Sequence, residues 1–127
     1  MTTIASLEVI PHSQQRYPTC GDWILGQGGE LLVLVSEMKD EDSEFLVALH
    51  ELVECYLCKK AGVTDEQVTE FDKAFEVKRT SGNTDEPGDD PKAPYRTQHQ
   101  CATLIEMIVC REMGKDWKEH EENVNRL

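Results

Sequence analysis

Ala48 to Cys58 read ALHELVECYLC, an apolar run that carries His50, Glu51 and Glu54 in the spacing H-E-x-x-E. Residues four apart on a helix lie one above the other, so the imidazole of His50 and the carboxylate of Glu54 can hold one ion from a single rigid element. Glu51 stands about 100° round the helix from His50, on the solvent side of the pair. The same His50 and Glu54 also make an ordinary helix-edge ion pair, and the string alone does not separate the two readings.

A second set lies in YRTQHQCATLIEMIVCREMG, Tyr95 to Gly114. At about 100° per residue, His99 and Glu106 fall in one row, with Tyr95, Ala102, Val109, Cys110 and Met113 as neighbours in angle. Most of the remaining circumference is apolar, which predicts a helix buried almost all round, open only at Gln100 and Arg111. A carboxylate is rarely left unpaired inside such a surface, so Glu106 needs a partner. Each of two helices thus offers a His and a Glu. The economical arrangement lets all four meet, either around a metal ion or as a dry hydrogen-bond network. The predicted ligand set is His50, Glu54 and His99, with Glu106 as a fourth ligand or as the acceptor that orients His99. Three protein ligands plus water is the composition of a catalytic zinc site, whereas closed structural sites more often use cysteines.

The other candidates read more plainly. Cys55 and Cys58 have C-x-x-C spacing but fall inside a helix, where small core or helix-edge cysteines are the simpler reading. Cys101 and Cys110 read as core, and Cys20 as a loop cysteine without an activating partner. His12, close to Arg16, Tyr17 and Asp22, reads first as a solvated loop residue and second as lining the site mouth; His120 reads as surface, and Asp72 as solvent-facing or capping, with a reach into the site from the second helix as its alternative. DEPGDD, Asp85 to Asp90, lacks the ligand alternation of an EF-hand loop and reads as a solvated acidic loop. There is no phosphate-binding glycine loop and no G-x-S-x-G.

These residues need elements to position them. Thr3 to Ile10 reads as a strand that ends at Pro11, and DWIL and ELLVLVSEM flank the turn GQGG as a β-hairpin, so strands occupy about residues 3–38. The period then changes. Phe45, Leu46, Leu49, Leu52, Val53, Tyr56 and Leu57 recur at helical spacing and predict a helix over about 43–61, capped by Asp42 or Ser43 and closed by Gly62. TDEQ, from Thr64, is a capping box that opens a second helix over about 64–79. Residues 80–94 form an acidic loop, a third helix runs over about 95–113, and the polar tail 114–127 is helical around Trp117 and Val124. Strands followed by helices in a chain of 127 residues predict one α+β domain, 1–127, with a small antiparallel three-stranded sheet and three to four helices packed on one face.

Composition narrows the partners. With 25 acidic against 13 basic residues the formal net charge is -12, the wrong sign for a chain that must neutralise phosphates, so nucleic acid is excluded as a general partner. No apolar run approaches the roughly 20 residues needed to cross a bilayer, so no membrane partner is expected. Five cysteines, an odd number, and no apolar leader after Met1 point to a reducing cytoplasm.

The segments VIPHSQQRYPTCGDW, FLVALHELVECYLCKKAG, FDKAFE and GDDPKAPYRTQHQCATLIE resemble a group of small proteins encoded by tailed phages and prophages, from about Ile4 to Glu112. The HELVE helix is also similar to the active-site helix of zincin-type metallopeptidases, a match confined to that helix, with Glu54 standing where zincins have their second histidine. The resemblance implies a small sheet before the helix whose edge strand binds extended substrate, His50 as a zinc ligand, Glu51 as the base and Glu54 in a ligand's place. The expectation is a zinc-dependent hydrolase of peptide or amide bonds, acting on a peptide or on a host or phage protein in the bacterial cytoplasm. Two other expectations stand beside it. One is a non-catalytic phage protein, structural and virion-borne or host-interacting, with a buried His/Glu network. The other is a magnesium-dependent nucleotide pyrophosphohydrolase, which Glu51 and Glu54 suit but the strand-rich first third and the missing downstream E-x-x-D do not.

Overall fold

The structure, a computed structural model, describes every residue from Met1 to Leu127. It is an α+β arrangement: strands β1 (Ala5–Ile10), β2 (Gly21–Leu25) and β3 (Leu31–Ser36), then helices α1 (Glu41–Ala61), α2 (Asp65–Lys78), α3 (Arg96–Glu112) and α4 (Trp117–Asn125). Short 3-10 turns occupy His12–Gln14 and Pro87–Asp89.

The sheet is mixed rather than antiparallel throughout. β3 lies in the middle, antiparallel to β2 through the glycine turn and parallel to β1, with Ala5 opposite Leu31 and Ile10 opposite Ser36. The reason is the segment between β1 and β2. Pro11 to Cys20 is too long for a tight turn, so it carries the chain across the end of the sheet and leaves a slot into which β3 inserts. Ser36, at the end of β3, pins that crossing: its hydroxyl donates to the Thr19 carbonyl at 3.1 Å and lies 2.8 Å from His12 Nδ1. Leu31, Val33 and Val35 face the helices and form the centre of the core with Trp23, Val47, Cys55 and Cys58. β1 is an edge strand whose Leu7 and Val9 remain exposed.

α1 packs on β2 and β3 and also on α3. Its buried face is Ser43, Leu46, Val47, His50, Glu51, Glu54, Cys55 and Cys58, an arc centred near Glu54, while Phe45 and Tyr56 of the expected apolar stripe are exposed. The helix is therefore rotated relative to its hydrophobic pattern, and Glu51 points inward rather than to solvent. Burying polar groups is tolerable only when partners meet them, and Glu106 and Trp23 meet His50 and Glu54. Asp40, rather than Asp42 or Ser43, caps α1, accepting from the Ser43 amide at 2.9 Å. Gly62 follows with φ 77°, the left-handed conformation that closes the helix. The capping box at α2 is present, with the Gln67 amide donating to Thr64 Oγ1 at 3.2 Å and Gln67 Oε1 accepting from the Thr64 amide at 2.9 Å.

α3 buries one face only, through His99, Ala102, Glu106 and Cys110. Cys101, Leu104, Met107 and Ile108 are exposed, contrary to the expectation of burial all round and of a core role for Cys101. α1 covers a single side of α3, and the later segments do not wrap the other. No helix is long and apolar enough to cross a membrane.

Candidate metal centre

α1 and α3 bring His50, Glu54 and His99 together, all buried. Three atoms form a nearly equilateral triangle: His50 Nε2 is 3.1 Å from Glu54 Oε2 and 3.1 Å from His99 Nδ1, and His99 Nδ1 is 3.0 Å from Glu54 Oε2. With Glu54 ionised, hydrogen bonds cannot satisfy all three edges. If one nitrogen carries a hydrogen, the other turns a lone pair toward the carboxylate oxygen. If both carry hydrogens, two donors face each other. A cation satisfies all three atoms at once. Ligand atoms each about 2 Å from one zinc lie about 3.3 Å apart, so the observed spacing needs little adjustment, and the cluster can hold a metal ion.

The supports of this triangle come from the far end of the chain. Glu106 accepts from His50 Nδ1 at 2.8 Å and lies 2.5 Å from His120 Nε2. The bond to Glu106 keeps a hydrogen on Nδ1, which leaves Nε2 as the ring nitrogen that can give up its hydrogen and offer a lone pair to an ion. Glu106 therefore orients His50, not His99, and does not join the ligand atoms; α3 places it two turns beyond His99, beside the other nitrogen of His50. His120 is 1% exposed, not a surface residue. Its Nδ1 meets Ser43 Oγ at 2.9 Å, and that hydroxyl accepts from Asn123 Nδ2 at 3.0 Å. Trp23, on β2, donates from Nε1 to Glu54 Oε1 at 3.0 Å and fixes the carboxylate's other oxygen.

Charge follows these contacts. Burial pushes Glu54 toward its neutral form, but the hydrogen bonds with His50 and His99 more than reverse this and hold its pKa down at about 2. Burial pulls His99 down, and its contacts with Glu54 and then Glu86 outweigh that, raising it to about 10. His50 is raised in the same way by Glu106 and Glu54. Glu106 is lowered, since burial is outweighed by its bonds with His120 and His50.

Glu51 lines the same cleft, a cavity of about 370 Å³ bounded by β2, α1, α2 and the acidic loop. Its side chain lies against Gly21, where an added Cβ would stand 2.7 Å from Glu51 Cγ and 2.8 Å from Oε1. Burial, and next the charge of Glu54, raise its pKa well above the usual carboxylate range. Across the cleft, Asp72 is buried rather than solvent-facing, accepting from Tyr17 Oη at 2.8 Å and from Tyr95 Oη. Burial raises Asp72 to about 6 against those two hydrogen bonds. His12 is not simply solvated, since it is tied to Ser36 and lines the cleft.

The acidic loop is not merely solvated either. Gly88 packs on the His99 ring, where an added Cβ would fall 2.3 Å from Cγ, and Glu86 Oε2 comes within 2.8 Å of His99 Nε2. Cys55, Cys58 and Cys110 are buried, as expected, and all five cysteines are free.

As parts of the site, His120, Tyr17, Trp23 and Ser43 escaped the sequence reading, and Asp72 entered it only as an alternative. A signal existed for two of them. His120 shares a row with Trp117 and Val124, and Asp72 lies four residues from Val68, so each stands on its helix's apolar side. Compared with family models, curated proteins and solved structures, the chain finds no match in any of the three.

Proposed function

We propose that this protein is a zincin-like, zinc-dependent hydrolase of peptide or amide bonds. The observation that carries this reading is the triangle of His50 Nε2, Glu54 Oε2 and His99 Nδ1, whose three edges hydrogen bonds do not satisfy while Glu54 is ionised. The same observation disfavours a dry His/Glu network. Zinc suits one carboxylate and two imidazoles, and when bound it supplies the Lewis acidity that activates water for attack. His50 and His99 offer lone pairs from two helices, while Glu106 and Trp23 hold His50 and Glu54 in position. Glu51 follows His50 directly, opens on the cleft and takes the proton of the attacking water. The loop 80–94 borders the cleft beside His99 and limits what enters. The choice of peptide or amide substrates, from host or phage, rests on the resemblance of the HELVE helix and of the longer segments.

Metal analysis of protein purified without a His tag tests the reading. At least one zinc per chain is expected, and combining His50→Ala with Glu54→Gln lowers the count by one. Glu51→Gln retains the zinc and abolishes hydrolysis of peptide substrates. Zinc-free protein that does not take up the ion on titration overturns the proposal, and loss of zinc in Glu51→Gln overturns the assignment of Glu51 as base.

A further inference from the structure

His99 is used on one side only by the centre described above. Its Nδ1 belongs to the triangle, while Nε2 points into the acidic loop. The side chain is 7% exposed, and Nε2 makes no aligned hydrogen bond, although it contacts Glu86 Oε2 at 2.8 Å and Asp89 Oδ1 at 3.5 Å. The near oxygen stands to the side of the line along which an N–H would point. Two donor atoms in contact, neither aimed at the other, are arranged as neighbouring ligands of one ion rather than as a hydrogen-bonded pair. A buried nitrogen left without an aligned hydrogen bond is unfavourable, so the arrangement calls for a partner between the three groups.

Local backbone builds this arrangement. The 3-10 turn Pro87–Asp89 puts Gly88 flat against the imidazole, so close that a Cβ would overlap Cγ, Nδ1 and Cδ2 at 2.3–2.7 Å. Glu86 and Asp89 flank that glycine and reach Nε2 from either side. We propose that Glu86, Asp89 and His99 Nε2 form a second divalent-metal site, joined to the first through the imidazole of His99. Its nitrogen and carboxylate donors suit zinc, cobalt or manganese rather than calcium. The proton of Nε2 and that of Nδ1 leave to solvent as the two ions bind, so His99 bridges them as an imidazolate. Three carboxylates, Glu54, Glu86 and Asp89, together with that imidazolate balance the charge of two divalent ions. The second ion fastens the acidic loop to the rim of the cleft.

The proposal shares His99 with the hydrolase reading and rests on it for the bridge, but the two are separable by experiment. Full-length protein without a His tag is stripped with chelator, loaded with zinc, desalted and weighed by native mass spectrometry. The expectation is two zinc ions per chain for wild type, and one for Glu86→Gln combined with Asp89→Asn. The double variant His50→Ala with Glu54→Gln retains one ion, and the combination of all four substitutions retains none. Glu86 and Asp89 are more than half exposed, so their replacement leaves the fold intact. Wild type that stops at one ion, with the same count in the Glu86/Asp89 variant, overturns the second site and leaves the first standing. A His50/Glu54 variant that loses no ion overturns the first site alone. No zinc on wild type overturns both.

Discussion

Glu106→Gln tests how the two buried histidines are positioned. In the native protein the carboxylate meets His50 Nδ1 at 2.8 Å and His120 Nε2 at 2.5 Å, and the residue is 8% exposed. Glutamine has nearly the same shape, keeps one carbonyl acceptor for His50 and turns an amide N–H₂ toward His120. The pocket therefore stays filled, but the bond to His50 loses its ionic character. Charge-assisted hydrogen bonds contribute about 1.5–3 kcal/mol, against about 1 for neutral ones. The loss falls on the basicity and aim of His50 Nε2, the atom proposed to bind zinc. Removing a carboxylate behind a ligating histidine lowers metal affinity about 10–100-fold, which is about 1.4–2.7 kcal/mol. Competition for zinc against a chromophoric chelator at neutral pH measures this directly, and circular dichroism of the metal-free variant checks the fold. Zinc affinity within about threefold of wild type, in a variant that folds normally, would refute the claim that Glu106 orients His50.

Other consequences follow from neighbouring contacts. Burial pushes the Asp72 carboxyl up to about 6 in the folded protein from its ordinary 3.8. The stability gained by its protonation is full below pH 3.8 and is lost as pH rises through about 6, a gap of about 3 kcal/mol. Asp72→Asn cannot titrate, so denaturant unfolding in chelator should show wild type losing stability relative to the variant across that window; parallel curves would exclude Asp72 as the source. Gly21→Ala places a methyl 2.7 Å from Glu51 Cγ and so displaces the carboxylate while sparing the ligands. The zinc content should hold while hydrolysis falls about 100-fold, and an unchanged rate would remove Glu51 from the reaction. Burial pushes Cys55 and Cys58 up to about 12, whereas Cys101 lies exposed on α3. Iodoacetamide should label Cys101 first in the native protein, and rapid labelling at Cys55 or Cys58 would show that the core beneath α1 opens.

Local chemistry was legible in the amino-acid sequence. The hairpin around Gly26–Gly29, the Thr64 capping box and the helix end at Gly62 depend on residues within a few positions of one another, and the structure has each of them. The pairing of His50 with Glu54 is equally local, since helical geometry alone stacks residues four apart. His99 was found by a less direct route, because a His and a Glu in an apolar stretch require buried partners. That requirement has no direction: it left open which imidazole Glu106 would serve, and the tertiary structure gave it His50 and His120.

The face that α1 buries was likewise decided beyond the helix. Hydrophobic periodicity placed Phe45 and Tyr56 inside and Glu51 outside, but α3 and β2 bring partners to His50 and Glu54 and a cleft to Glu51, so the polar arc turns inward. β1 joined β3 in parallel because the long Pro11–Cys20 segment spans the sheet, a choice no single strand records. Glu86 and Asp89 looked like solvated charge until Gly88 laid their loop on His99. The sequence by itself determined which donor atoms were available and which of them one helix could stack. Only the tertiary structure decided which donors meet across helices and loops, because those contacts join residues far apart in the chain and depend on the packing of whole elements rather than on local spacing.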